Sequence, residues 1–78
     1  MEGDTIKNYL YDLGTLLKAE AIEAAAKRDA SDKEDRSFLE GMSLAHINVV
    51  QLMLSQAEAF GLDPRLLHLE NFNPDELH

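Results

Sequence analysis

Cysteine and tryptophan are absent from this chain of 78 residues, and proline occurs only twice. Without cysteine, neither a disulfide framework nor a thiolate metal site can form. The same lack fits a reducing compartment, and the N-terminal stretch MEGDTIKN carries acids instead of the apolar core of a secretory signal. A cytoplasmic location is therefore expected. Basic residues are scarce as well, 7 against 15 acids, for a net charge of −8. From residue 37 onward the single base is Arg65. A surface with that balance repels phosphate and offers no basic stripe, so nucleic-acid binding is not expected. Long apolar runs are also missing, and a membrane span needs about twenty predominantly apolar residues; no membrane partner is expected.

Chemistry-bearing motifs are equally sparse. There is no Gly-x-Ser-x-Gly, no Gly-rich phosphate loop and no Glu-x-x-His, the patterns that would mark a nucleophile, a nucleotide site or a di-metal bundle. The expectation is a non-enzymatic protein with no cofactor and no metal. At this length the chain forms one domain, residues 1–78, and a small one usually needs a staple or a partner to be stable.

What is present is helical periodicity. Ile6, Leu10, Leu13 and Leu17 recur at the spacing that holds side chains on one face. Tyr9, Leu16, Ala21 and Ala24 widen the stripe, and Asp4 or Thr5 can cap its start. This predicts a first helix over about residues 5–28. Gly14 sits at the margin of the stripe, where it costs about 1 kcal/mol relative to alanine but would let another backbone approach closely. From Lys27 to Arg36 nearly every residue is charged, with the signs balanced. Ser31-Asp32-Lys33-Glu34 matches a capping box with Ser31 as the cap. A chain reversal is expected there, because continuing the first stripe by heptads would place Gly41 and Asn48 at the seam.

The second helix is predicted over about residues 32–60, stopped by Gly61. Its segment 41–57 holds no charged residue, in a chain that is 28% charged. Placing residues about 100° apart spreads Phe38, Leu39, Met42, Ala45, Val49, Val50, Leu52, Met53, Ala57 and Phe60 over one side. Ile47 and Leu54 extend it. The resulting arc spans roughly 200°, whereas a helix with one neighbour needs a little over 100°. A hairpin supplies one neighbour. The predicted architecture is therefore all-α: an antiparallel helical hairpin with short C-terminal helical turns, dimerising into a four-helix bundle. Phe38, Met42, Val49, Leu52, Met53 and Phe60 are the expected dimer-interface residues.

The tail, residues 62–78, contains Asp63-Pro64 and Asn73-Pro74, each a capping residue before proline and so the start of a short helical turn. Leu62, Leu66, Leu67, Leu69 and Phe72 are positioned to fold back over the hairpin, and Tyr11 with Ile22 forms a patch that these leucines would cover. The alternative for the tail is a peptide that docks on another protein.

One polar pair stands out. A reversal near residue 32 brings His46 level with Leu17 to Glu20, so Glu20 and His46 form a possible buried polar pair. Such a pair fixes helix register or, in an active role, moves a proton near neutral pH. Asp75-x-x-His78 is the nearest approach to a ligand motif. The leading expectation is a small acidic interaction or regulatory module that homodimerises through the second helix and meets an unknown protein partner. The alternative is a bundle that binds a small ligand or metal through Glu20 and His46 near the dimer centre.

Overall fold

A computed structural model describes residues 2–77. Among the described residues every regular element is helical, with no strand: α1 covers Glu2–Ala30, α2 covers Lys33–Ala59, and two 3-10 turns follow at Pro64–Leu67 and Pro74–Glu76. The antiparallel hairpin expected from periodicity is present. The two turns after Asp63 and Asn73 are present as well, with both side chains capping as their sequences suggest. Asp63 accepts the Arg65 amide at 2.9 Å, and Asn73 accepts the Asp75 amide at 3.0 Å. The Asp63 carboxyl is held below its ordinary value by hydrogen bonds from the Arg65 side chain and then its backbone amide.

All four helix boundaries differ slightly from the sequence reading. Helix α1 does not begin at a cap formed by Asp4 or Thr5; both lie inside its first turns, where a carboxylate such as Asp4 stabilises the positive end of the helix dipole. It also runs on to Ala30. There the Ser31 amide and hydroxyl both donate to the Arg28 carbonyl, at 3.2 and 2.7 Å. That use of Ser31 also moves the start of α2. With its hydroxyl turned back to close α1, the cap of α2 falls to Asp32, which accepts the Asp35 amide at 3.3 Å. The helix then ends one residue earlier than expected, with Phe60 as its C-cap. Gly61 follows at φ +70°, and Leu62 and Gly61 donate to the carbonyls of Ala57 and Glu58 at 2.7 and 3.0 Å. This is the glycine-terminated helix end that the sequence indicated.

The two helices form a thin slab, and the tail lies along one of its faces. Ile47 and Val50 of α2 are fully buried with Ala21 of α1 and with Leu67 and Leu69 of the tail. Leu17, Met53, Leu54, Leu66, Phe72 and Leu77 pack around this cluster. The tail therefore closes over its own hairpin. It also absorbs part of the apolar surplus of α2, hiding Ile47 and Val50, for which the sequence reading calls on a second copy.

Gly14 makes that closure possible. A Cβ there would collide with the Leu67 carbonyl oxygen and lie 2.8 Å from the carbonyl carbon, so only glycine lets the turn sit directly on α1. Just beyond, His68 takes the left-handed conformation, φ 57°, which costs a residue with a Cβ about 1–2 kcal/mol. Its contacts offset that cost. The imidazole stacks on Tyr11 with centroids 4.4 Å apart and planes within 8°. Its Nδ1 lies 2.7 Å from the Thr15 hydroxyl, and its carbonyl accepts the Lys18 ammonium at 2.9 Å. Because Thr15 gives its one hydroxyl proton to the Tyr11 carbonyl, 2.8 Å away, the imidazole Nδ1–H completes the short contact.

At the far end, the Arg28 guanidinium donates to the Leu77 carbonyl at 2.6 Å and to the Ser43 hydroxyl at 3.3 Å. Ser43 is fully buried. Arg28 thus ties α1, α2 and the tail at one point.

Replacing Gly14 with alanine tests this seating. The gain in helix propensity, about 1 kcal/mol, competes with overpacking that costs about 1–3 kcal/mol and with loss of the tail contacts. Urea denaturation should show a net loss of stability in Gly14→Ala. A variant more stable than the parent chain would mean that the tail does not rest on α1.

Candidate functional site

The tail covers the side of α1 that carries Tyr11, Gly14, Thr15 and Lys18. On the opposite side of the slab no described residue covers the hairpin. Helical spacing places Ile6, Tyr9, Leu13, Leu16 and Glu20 of α1 there, beside Phe38, Met42, Ala45, Val49, Met53, Gln56 and Phe60 of α2. Phe60 is 76% exposed, Phe38 70%, Tyr9 64% and Leu52 61%, with Ile6 and Leu16 also more than half exposed. Met42 and Val49 are exposed and Met53 is half-buried.

All six residues expected from the sequence to pair with a second chain therefore lie on or beside this open face. The helical stripe one step round, Ser43, Ile47, Val50 and Ala57, is the buried one. Scattered exposed apolar side chains are ordinary, but a contiguous face of them is a binding-surface signature.

Two clefts open on this face. One, of about 210 Å³, lies between the helices and is lined by Glu20, Glu23, Lys27, Leu39, Met42 and His46. The other, of about 320 Å³, lies at the open end of the hairpin among Leu10, Leu52, Met53, Gln56, Phe60 and Leu62. It is apolar and holds no titratable side chain.

The hairpin register does bring Glu20 to His46, but the pair is not the buried one that the sequence suggested. Oε2 of Glu20 stands 3.8 Å from Nδ1 of His46, beyond hydrogen-bond length. The Glu20 side chain is 61% exposed. The reason is the position of the tail: it roofs the other face, so this cleft stays open to water. Among the described residues no three His, Asp or Glu side chains converge on a point. His78, the end of the Asp75-x-x-His78 spacing, lies outside the described residues. No helix among them is long and apolar enough to cross a membrane.

Sequence reasoning missed Arg28 and His68. The first lies in a stretch of balanced charge that reads as a solvated turn. The second has no local signal, since its stacking partner Tyr11 is remote in the chain.

An open, water-screened pair at this distance contributes little to stability, under about 1 kcal/mol. Glu20→Gln should accordingly leave the urea midpoint nearly unchanged, whereas a loss of several kcal/mol would show that the pair is sequestered in solution.

Comparisons of the chain with protein-family models, with curated proteins and with solved structures find no match, so the functional reading stands on the exposed face and the chemistry of its side chains.

Proposed function

We propose that this chain is a small acidic, non-enzymatic interaction or regulatory module of the cytoplasm that homodimerises through α2 and its neighbouring α1 stripe. One observation carries the reading: the chain leaves about one interface's worth of surface uncovered. Its accessible area is 5651 Å², whereas a compact chain of 8.7 kDa exposes about 4,700 Å². The excess, about 900 Å², is close to the ~800 Å² that each partner buries in a standard-size interface. The dimensions agree. The molecule measures 49 × 22 × 16 Å with a radius of gyration of 14.2 Å, against about 11.5 Å for a compact chain of this length. It has the shape of half a bundle.

The charges favour the same reading. Segment 41–57 brings no charge to the face, so α2 contributes there none of the acids that give each copy its net charge of −8. The non-enzymatic part of the proposal rests on the 3.8 Å separation of Glu20 and His46, beyond the reach at which one side chain hands a proton directly to another.

Sedimentation equilibrium tests the reading. The native chain should run as a dimer, and Val49→Glu or Leu52→Glu should weaken association more than about 100-fold, since each places an unpaired charge in the buried face. Both positions are exposed in the single chain, so helical circular dichroism should persist. A dispersed monomer of the native chain refutes the proposal.

A second reading, a ligand or metal site at Glu20 and His46 near the dimer centre, has one observation in its favour: the two side chains approach to 3.8 Å across a cleft. It requires that zinc chloride raise the melting temperature and that the rise vanish in His46→Ala. No shift with zinc removes the metal version.

A further inference from the structure

Resting on the dimer reading, we propose that association through the open face is proton-linked: Glu20 and His46 form a switch that tightens the dimer as the pH falls and loosens it as the pH rises. The pair sits where a second copy must cover it. His46 follows Met42 by four positions on α2 and precedes Val49 by three, so it lies within one helical turn of each, on the same side. Met42 and Val49 are exposed in the single chain and belong to the proposed interface. Met42 also lines the cleft of about 210 Å³ that holds Glu20 and His46. A second copy seated on Met42 and Val49 therefore roofs this cleft and takes water away from the pair.

The charges around the cleft decide the sign. From α1 it is lined by Glu20, Glu23 and Lys27, and from α2 by one titratable side chain, His46. Glu23 already has a counter-charge, since the Lys27 ammonium stands 3.2 Å away. Glu20 has none on its own helix. Three and four positions from it lie Leu16, Leu17, Glu23 and Ala24, and Lys18 is turned to the His68 carbonyl on the other face. Further along α2, Glu34 and Asp35 are acids as well. The tail brings no base to this side, because His68 is held against Tyr11 and Thr15. Among the described residues the His46 imidazole, with Nδ1 3.8 Å from the Glu20 carboxylate, is the group placed to balance that charge.

In the open cleft water screens the carboxylate, and a neutral imidazole beside it costs little. Under a second copy that screening is gone. The carboxylate is then a covered charge without a partner, whereas a proton on His46 makes it one half of an ion pair. The dimer thus holds this proton more tightly than the single chain does, once in each of its two clefts. By linkage, acid favours association. The advantage is complete below the pH at which the single chain takes up the proton, and it is gone above the pH at which the dimer releases it. Imidazoles change charge between about pH 5 and 8, so the response falls in that interval.

Sedimentation equilibrium of the full chain at about pH 8 and about pH 6 reads the effect. Sodium chloride at about 0.3 M screens the general repulsion between acidic copies. Both conditions lie above the isoelectric point of about 4.6, so the chain keeps a negative charge and stays dispersed. Uptake of two protons per dimer sets a limit of about a hundredfold in affinity per pH unit, and the native dissociation constant should fall by about tenfold or more on acidification. Glu20→Gln should associate more tightly than the native chain at the higher pH and lose the step. Glu20 is 61% exposed in the single chain, so this replacement leaves the hairpin folded. His46→Gln should keep the weak, high-pH association at both values.

His68 and the remaining surface acids are the same in all three proteins. A step that survives in either variant therefore belongs to the general charge and overturns the switch, as does a native dimer whose affinity is flat or falls in acid. Each of those results leaves the dimer itself standing. A native chain that is monomeric at both values overturns the dimer reading and the switch with it.

Discussion

The contact between Gly14 and the Leu67 carbonyl governs the rest of the molecule. A hairpin of two amphipathic helices has two broad faces, and a tail of this length can roof one of them. Because α1 offers a position without a Cβ on the side of Tyr11 and Lys18, the first tail turn settles there at backbone distance. His68 then reaches Tyr11 and Thr15, and the chain continues along the helices until Leu77 meets Arg28. Each later contact depends on that first approach. The same choice leaves the opposite face bare.

The bare face follows from geometry as much as from composition. Two helices packed side by side bury only the strip between them, and α2 carries far more apolar arc than that strip and the tail together consume. Ile47 and Val50 disappear into the cluster with Leu67 and Leu69, yet Phe38, Leu52 and Phe60 stay in water. Apolar area of that order, at roughly 25 cal/mol per Å², is a substantial driving force for association. Its conversion to affinity is reduced by the entropy of bringing two bodies together, so the quality of the central contacts decides the outcome.

Much of this was legible in the residues. The four-three spacing of leucines, the balanced charge from Lys27 to Arg36, the glycine at 61 and the two Asx-Pro pairs mark the hairpin and both turns. Each rests on interactions within about five positions of chain, where pattern and structure are closely coupled. The surplus on α2 was legible too, as was the level at which Glu20 meets His46. Ser31 reads as the cap of α2, and only the local geometry shows its hydroxyl turned back three positions to the Arg28 carbonyl. The exposure of Glu20 has a remote cause, since burial of the pair depends on which face the tail roofs.

By itself, then, the sequence determined the number of helices, their limits to within a few residues, and the excess of apolar surface on the second. Those are properties of periodicity and of backbone groups finding partners nearby. Only the tertiary structure decided which portion of that surface is hidden. A helical pattern gives the angles between residues on one helix, but not the direction in which the helix faces the rest of the chain. That direction was set where Leu67 settled on the gap that Gly14 leaves in the side chains of α1.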